Sequence, residues 1–152
     1  MRTSQSTATW TATMAYLLDT NIVSELRKGD RCNAAVLDWF ATLDDEDLFL
    51  SVLVIGEIER GIERIRKRDP KSATSLRRWL SNLSTQFEDR ILPITLPIAR
   101  TWGKMGAPNP IPTVDGLLAA TAHVHGLVLA TRNVTHVQAL DVEWVNPFDP
   151  SP

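Results

Sequence analysis

Short apolar runs alternate along this chain with longer segments of helical spacing. Continuous runs at residues 15–18, 48–50, 91–92 and 127–130 are typical of strands that are buried on both faces of a parallel sheet. A last run, at residues 142–145, stops at Asn146-Pro147 and predicts an edge strand, because proline cannot donate to the ladder of a central strand.

The segments between these runs predict helices. Ile55, Ile58, Ile62 and Ile65 form one apolar stripe, on a helix that we expect to continue to about residue 68. Pro70 suits the start of the next helix. Further along, we expect Thr113 to cap a helix that ends at Gly126. Strands alternating with helices predict an α/β fold with a central, mainly parallel sheet of four or five strands, flanked by helices.

The chain is expected to form one domain. Its 152 residues are the length of an ordinary domain, and 43% hydrophobic residues suffice for a core. Residues 1–13 are rich in threonine and serine and show no period, so we expect a disordered leader, with Met14 a candidate for the true start. The domain is then expected to span residues 14–148, followed by a short tail at 149–152.

Several classes of protein are disfavoured. Cys32 is the one cysteine, so an intrachain disulfide is impossible and a cytoplasmic location is expected. No stretch approaches the roughly 20 apolar residues of a membrane helix, and the N-terminus lacks the apolar segment of a signal peptide. The formal net charge of −2 is unlike that of a protein that simply coats nucleic acid.

Asp19 directly follows the first apolar run. A carboxylate inside a parallel sheet would be costly, but at the carboxyl end of a strand it opens into the crevice where such sheets bind ligands. The alternative is that Asp19, or the adjacent Thr20, simply caps the next helix. For Asp19 taken alone, the sequence does not decide between a functional carboxylate and a helix cap.

Glu57 and Asp115 are the two other candidates. Glu57 lies among apolar residues in the first half of its helix, where it faces either solvent or the crevice. Asp115 lies in the first turn of a helix, a position that the helix dipole alone would favour. Three carboxylates about 4 Å apart would repel by roughly 4 kcal/mol per pair at an effective dielectric near 20. A hard divalent cation would neutralise such a cluster and position a water for attack on a phosphodiester.

The sequence resembles the PIN-domain ribonucleases, and among them the VapC-type toxins of toxin–antitoxin pairs. The stretches that carry the resemblance, in order, are LLDTNIVSEL, SVLVIGEIERGI, TVDGLLAATAHVHGL and LATRNVTHV, with VNPF near the end. The resemblance implies that Asp19, Glu57 and Asp115 are catalytic, and that Asp19 and Asp115 bind Mg²⁺ or Mn²⁺. It also implies an RNA substrate, a cognate antitoxin and a homodimer.

One position departs from the family pattern. The stretch TRNVTHV has His136 where the family usually has a fourth acid. Because histidine is a poor ligand for magnesium but acceptable to manganese, the departure implies a dispensable fourth position, a changed metal preference or reduced activity. A surface histidine is the plain alternative. Thr20, Asn21, Thr131 and Asn133 are expected to support the acids by hydrogen bonds, or else to form caps and turns.

A basic stretch follows the second acid. Its seven cationic side chains are opposed within their span by Asp69 alone, and they are Arg64, Arg66, Lys67, Arg68, Lys71, Arg77 and Arg78. A solvated helical face, an RNA backbone contact and an antitoxin contact all remain possible for it. A competing view of the whole chain is a non-catalytic or weakly catalytic module that keeps the fold and binds its antitoxin and RNA.

Overall fold

A computed structural model describes residues 14–108 and 110–149. The expected leader at residues 1–13 lies outside the described residues, and so do Asn109 and residues 150–152.

The described residues form one α/β unit around a five-stranded sheet. The strands are β1 (Tyr16–Leu18), β2 (Leu48–Ser51), β3 (Ile91–Leu92), β4 (Val128–Ala130) and β5 (Trp144–Val145). Their order is β3-β2-β1-β4-β5, and all four pairings are parallel. The prediction of a mainly parallel sheet of four or five strands is confirmed, and the last strand lies at an edge as expected.

Seven α-helices accompany the sheet in the described part of the chain. They are α1 (Thr20–Leu26), α2 (Ala34–Ala41), α3 (Val52–Ile65), α4 (Pro70–Gln86), α5 (Leu96–Gly106), α6 (Thr113–His125) and α7 (Val134–Val137). Short 3-10 helices lie at Gly29–Arg31, Asp45–Asp47 and Glu88–Arg90. Consecutive long helices pack in pairs, α3 with α4 and α5 with α6. None of the helices described in residues 14–149 is long and apolar enough to cross a membrane.

Local sequence signals account for most of the helix ends. Pro70 occupies the first position of α4, and the Asp69 side chain caps that helix by accepting from Ser72 N at 3.1 Å. Helix α6 ends at Gly126, whose φ of 67° lies in the left-handed region that favours glycine. The prediction that Thr113 caps α6 is wrong. Thr113 already lies inside the helix, and the capping position belongs to Pro112, which has no side-chain acceptor.

The core lies where the central strands meet the helices. The side chains of Leu17, Leu50 and Leu129, on three neighbouring strands, are at most 1% exposed. Residues Val54 and Ile62 of the predicted isoleucine-rich helix are fully buried against them. Cys32 is buried as a small apolar group. Since apolar residues fill both faces of the central strands, polar groups are left to gather at the strand ends.

Candidate active site at the carboxyl ends of the strands

Three buried polar residues directly follow or end the three central strands. Asp19 follows β1, Ser51 ends β2 and Thr131 follows β4. They are 4%, 0% and 0% exposed. Asp19 N donates to the carbonyl of Ala130 at 2.9 Å, so the β1–β4 pairing continues to this point. Continuing the β1–β2 register places Ser51 beside Asp19 in the same row. The sheet therefore presents a polar row at the carboxyl ends of its strands, where open α/β sheets bind ligands.

Asp19 is held by three donors. Its carboxylate accepts from Thr131 Oγ1 at 2.7 Å, from Thr20 N at 2.7 Å and from Asn21 Nδ2 at 3.4 Å. It is also the N-cap of α1, so the capping interpretation of this residue is confirmed, and it is compatible with a place in the site. A cap alone needs neither burial nor a donor from β4. The carboxylate is thus tied to the sheet as well as to its own helix.

Burial raises the pKa of the Asp19 carboxyl above its ordinary value. Hydrogen bonds from Thr131 and Thr20 oppose this rise in pKa, and the charges of Asp115 and Glu57 add to it. Both other acids therefore lie close enough to Asp19 to disfavour its ionised form. The structure brings together the three carboxylates that the sequence nominated from three separate segments.

Glu57 is placed by α3, six residues after the Ser51 cap. Its Oε1 accepts a short hydrogen bond from the Thr20 hydroxyl. The side chain is half-buried, so it faces the crevice rather than open solvent. Thr20 thereby links the first residue of α1 to the second acid, which is the supporting role expected of this residue.

Asp115 lies in the first turn of α6, and its carboxylate contacts His136 of α7. The contact joins Nδ1 of the imidazole to Oδ2 of Asp115. The Asp115 side chain is 12% exposed and the His136 side chain 42%. His136 is therefore not an isolated surface histidine. It contacts the third acid and remains partly exposed.

The turn that follows β4 contacts Asn21 and contains Asn133, the two other residues predicted to support the acids. The Asn21 side chain connects this turn to Asp19, because its NH₂ group donates to the Asp19 carboxylate while its oxygen accepts from Arg132 N at 3.2 Å. Asn133 contributes its backbone N–H, which donates to Thr131 Oγ1 at 3.0 Å. The Arg132 guanidinium stacks over the Phe148 ring at 4.2 Å. This contact connects the TRN segment with the VNPF segment near the end of the chain.

The three carboxylates do not converge on one point in the conformations observed. Within residues 14–108 and 110–149, no group of three or more histidine, cysteine, aspartate or glutamate side chains is arranged to hold a metal ion. Glu57 is engaged by Thr20 and Asp115 by His136. The donor chemistry nevertheless fits a hard divalent cation, because the acids supply only carboxylate oxygens. Charge neutralisation would also relieve the repulsion from Asp115 and Glu57, which adds to the effect of burial in raising the pKa of Asp19.

Sequence reasoning missed two polar residues near this site. Ser51 belongs to the buried polar row, and the available signal was its place directly after the second apolar run, as with Asp19 after the first. Glu25 is 8% exposed and accepts from Asn33 N at 2.7 Å and from Lys28 Nζ at 3.0 Å. It holds the segment that connects α1 to α2. No sequence signal distinguishes Glu25 from an exposed helical glutamate.

The chain belongs to the PIN domain family, whose pattern matches residues 16–139. It is 33% identical over 137 residues to toxin FitB of Neisseria gonorrhoeae, covering 87% of this chain and 97% of FitB. It is 29% identical over 140 residues to the VapC ribonuclease Y4jK of Sinorhizobium fredii, covering 89% of this chain and 99% of that protein. The crystal structure of FitAcB from Neisseria gonorrhoeae superposes with a TM-score of 0.79 at 32% identity, covering 88% of this chain and 98% of that one.

Proposed function

We propose that this PIN-domain protein is a metal-dependent endoribonuclease that acts as the toxin of a toxin–antitoxin pair. The observation that carries the proposal is the Asp19 carboxylate, which is buried at the end of β1 and held there by Thr131 and Thr20 N; burial first, and then the charges of Asp115 and Glu57, raise its pKa. Such mutual repulsion persists in a folded protein when a cation relieves it. The names of the toxin and ribonuclease relatives support the same reaction.

Asp19 and Asp115 would hold the cation, with Glu57 as the third acid. When bound, a Mg²⁺ or Mn²⁺ ion supplies a Lewis acid that lowers the pKa of water and stabilises the charge that develops on a phosphodiester. Thr131 and Thr20 N hold the Asp19 carboxylate at 2.7 Å each. This fixes the direction of its lone pairs before any ligand arrives, which is the usual role of groups that hydrogen-bond to metal ligands.

His136 takes a different part from that of a fourth acid. Its Nδ1 contacts Asp115, so the imidazole orients this carboxylate and keeps Nε2 free of that contact. With three acids instead of four, the site carries less negative charge to attract Mg²⁺. Because an imidazole nitrogen is more acceptable to Mn²⁺, this chain should favour Mn²⁺ more than a four-acid site would.

A groove beside the site suits an antitoxin segment. Its volume is about 240 Å³, and it is lined by polar side chains of α1, its C-terminal cap and α3, including Thr20, Arg27 and Glu57, and by apolar side chains of α3 and α4, including Ile58 and Trp79. An amphipathic segment would place its apolar face along this groove. One basic side chain of the segment would then reach Glu57. Co-expression with the neighbouring open reading frame should relieve growth arrest, and toxicity that no neighbouring gene relieves would count against this partner.

A non-catalytic module that binds its antitoxin and RNA is the second candidate. Two observations favour it: the described acids do not form a ready metal-binding group, and His136 stands in place of an acid. Cleavage itself decides between the two candidates.

The test is incubation of the purified protein with a mixed RNA pool, with and without Mg²⁺ or Mn²⁺, and mapping of the cut ends. Asp19→Asn is the inactive variant, and Asp38→Asn on the exposed side of α2 is the matched control with the same change of charge. Metal-dependent cuts made by the wild type and Asp38→Asn, but not by Asp19→Asn, are expected. Cleavage that survives in Asp19→Asn would assign the activity to a contaminant or to another site. We also expect a homodimer, which sedimentation equilibrium would measure.

A further inference from the structure

The basic stretch noted in the sequence forms an exposed turn between two packed helices. Helix α3 ends at Ile65 and α4 begins at Pro70, so Arg66, Lys67 and Arg68 occupy the connection. Residues 66–71 are exposed, as are Arg64, Arg77 and Arg78. We call this surface, comprising Arg64, Arg66, Lys67, Arg68, Lys71, Arg77 and Arg78, the basic hairpin.

Few of these charges are neutralised within the described part of the chain. Glu63 pairs with Arg66 at 3.2 Å and with Arg77 at 3.8 Å. Asp69 is committed to the cap of α4 through Ser72, with Arg68 nearby. No ion pair is present in the described ranges for Lys67, Lys71 or Arg78. The basic hairpin therefore keeps a strong local positive charge on a chain whose formal net charge is −2.

Helix electrostatics explain only part of this pattern. Basic residues at the end of α3 meet the negative end of the helix dipole and are favoured there. Lys71 is the second residue of α4, where a cation opposes the dipole. The charge of Lys71 therefore destabilises the start of α4, which indicates that Lys71 contacts a group outside this helix.

The chemistry of the surface favours a phosphate backbone over a protein segment. A shallow groove here is lined by Pro70, Lys71, Thr74, Ser75 and Arg78, so it offers the ammonium group of Lys71, the guanidinium group of Arg78 and the hydroxyl of Ser75 as donors. The groove next to Glu57 also contains Arg27, but isoleucine, leucine and tryptophan side chains make up much of its lining, which suits an amphipathic peptide. Arginine and lysine are the usual ligands of nucleic-acid phosphates.

The hairpin also lies within reach of the acids. Glu57 and Arg64 share helix α3, and seven residues of helix correspond to about 10 Å along its axis at 1.5 Å per residue. A single strand with one phosphodiester at the acids would extend neighbouring phosphates toward the turn. We propose that the basic hairpin binds backbone phosphates of the RNA substrate on one side of the cut. This inference rests on the proposed ribonuclease function.

The test compares two triple variants of equal charge. Lys67→Gln, Lys71→Gln and Arg78→Gln are combined in the hairpin variant. The control combines Arg31→Gln, Arg100→Gln and Lys104→Gln, which are exposed elsewhere. Binding of a fluorescein-labelled single-stranded RNA of randomised sequence is measured by anisotropy in EDTA at several salt concentrations. Cleavage of the same RNA is measured separately in Mn²⁺.

The hairpin variant should bind more weakly, and its log–log salt slope should be shallower by about 2, since each lost phosphate contact on a single strand removes about 0.7. The control should match the wild type in slope. The hairpin variant should be at least as heat-stable as the wild type, because it loses a cation from the first turn of α4. Equal binding and slope in the two triple variants would overturn the proposal.

Other outcomes separate the proposals. Hairpin-dependent RNA binding without metal-dependent cleavage would uphold phosphate binding by the basic hairpin but refute the nuclease, and with it the position of that binding beside a cut. Cleavage by the wild type with unchanged RNA binding by the hairpin variant would refute only the inference. If the hairpin variant kept RNA binding but lost its complex with the co-expressed partner, the hairpin would be a protein-docking surface and the proposal would be wrong.

Discussion

Asp19→Asn tests the candidate site most directly, because the substitution keeps the shape of the side chain and removes its charge. Asparagine can keep most of the contacts. Its carbonyl oxygen can accept from Thr20 N, and its NH₂ group can donate to the Thr131 hydroxyl, whose oxygen has a second lone pair beside the one that Asn133 N uses. The 3.4 Å contact with Asn21 is lost, and the buried Thr131 hydroxyl loses the acceptor for its own proton, at a cost of about 1–3 kcal/mol.

The substitution also removes an electrostatic penalty that opposes this loss. At neutral pH the wild type buries a carboxylate whose raised pKa reflects desolvation and the charges of Asp115 and Glu57. A raised pKa means that the ionised form destabilises the fold, and asparagine carries no such penalty. In the absence of metal we therefore expect the free energy of unfolding of Asp19→Asn to equal or exceed that of the wild type.

Metal should reverse this ranking. A cation at a hundred times its dissociation constant stabilises the wild type by about 2.7 kcal/mol, which corresponds to a rise of roughly 5–10 °C in Tm for a domain of this size. The variant should show little of this rise, and its cleavage rate should fall by on the order of 10²-fold or more, at about 1.4 kcal/mol per decade.

The assay is a thermal melt of both proteins in EDTA, Mg²⁺ and Mn²⁺, beside the cleavage rates, with Asp38→Asn as the control. A large loss of stability in metal-free Asp19→Asn would refute the reasoning on charge repulsion. An equal rise of Tm with metal in wild type and variant would place the cation elsewhere.

Four further outcomes are expected. His136→Asp, which restores the usual acid beside Asp115, should increase cleavage in Mg²⁺ and reduce the preference for Mn²⁺; unchanged rates in both metals would place His136 outside the working site. Glu25→Gln should lower Tm at neutral pH, because bonds from Asn33 N and Lys28 lower the pKa of Glu25 and so make its ionised form stabilising. That loss of Tm should shrink as pH falls through the lowered pKa of Glu25, and a pH-independent difference would contradict it. Gly126→Ala should lower the free energy of unfolding measured in urea by about 1 kcal/mol, since φ at this position is 67°; an unchanged midpoint of the urea transition would show that alanine is not strained there. A chain starting at Met14 should fold and melt like the full chain, and failure to fold would show that residues 1–13 are needed.

The sequence by itself determined the sheet and the places where the acids emerge. Buried parallel strands must be apolar on both faces, so their runs at residues 48–50 and 91–92 could be read directly, and a polar residue after such a run marks a strand end. Helix α4 was predictable from Pro70, and the end of α6 from Gly126, because each residue has a restricted or unusual backbone preference. The nomination of Asp19, Glu57 and Asp115 also depended on the family resemblance, since each alone had an ordinary structural explanation.

Only the tertiary structure decided how these groups meet. The strand order β3-β2-β1-β4-β5 places β1 beside β4, so residues far apart in the sequence meet at the carboxyl ends of these two strands. No local pattern encodes that pairing. The bond between Thr131 and Asp19 joins residues 112 positions apart, and the Thr20–Glu57 bond spans 37. Whether His136 was a surface side chain or a partner of Asp115 depended on the packing of α7 against α6. Periodicity shows which face of a segment is buried, but the partner on that face follows from the packing of the whole chain.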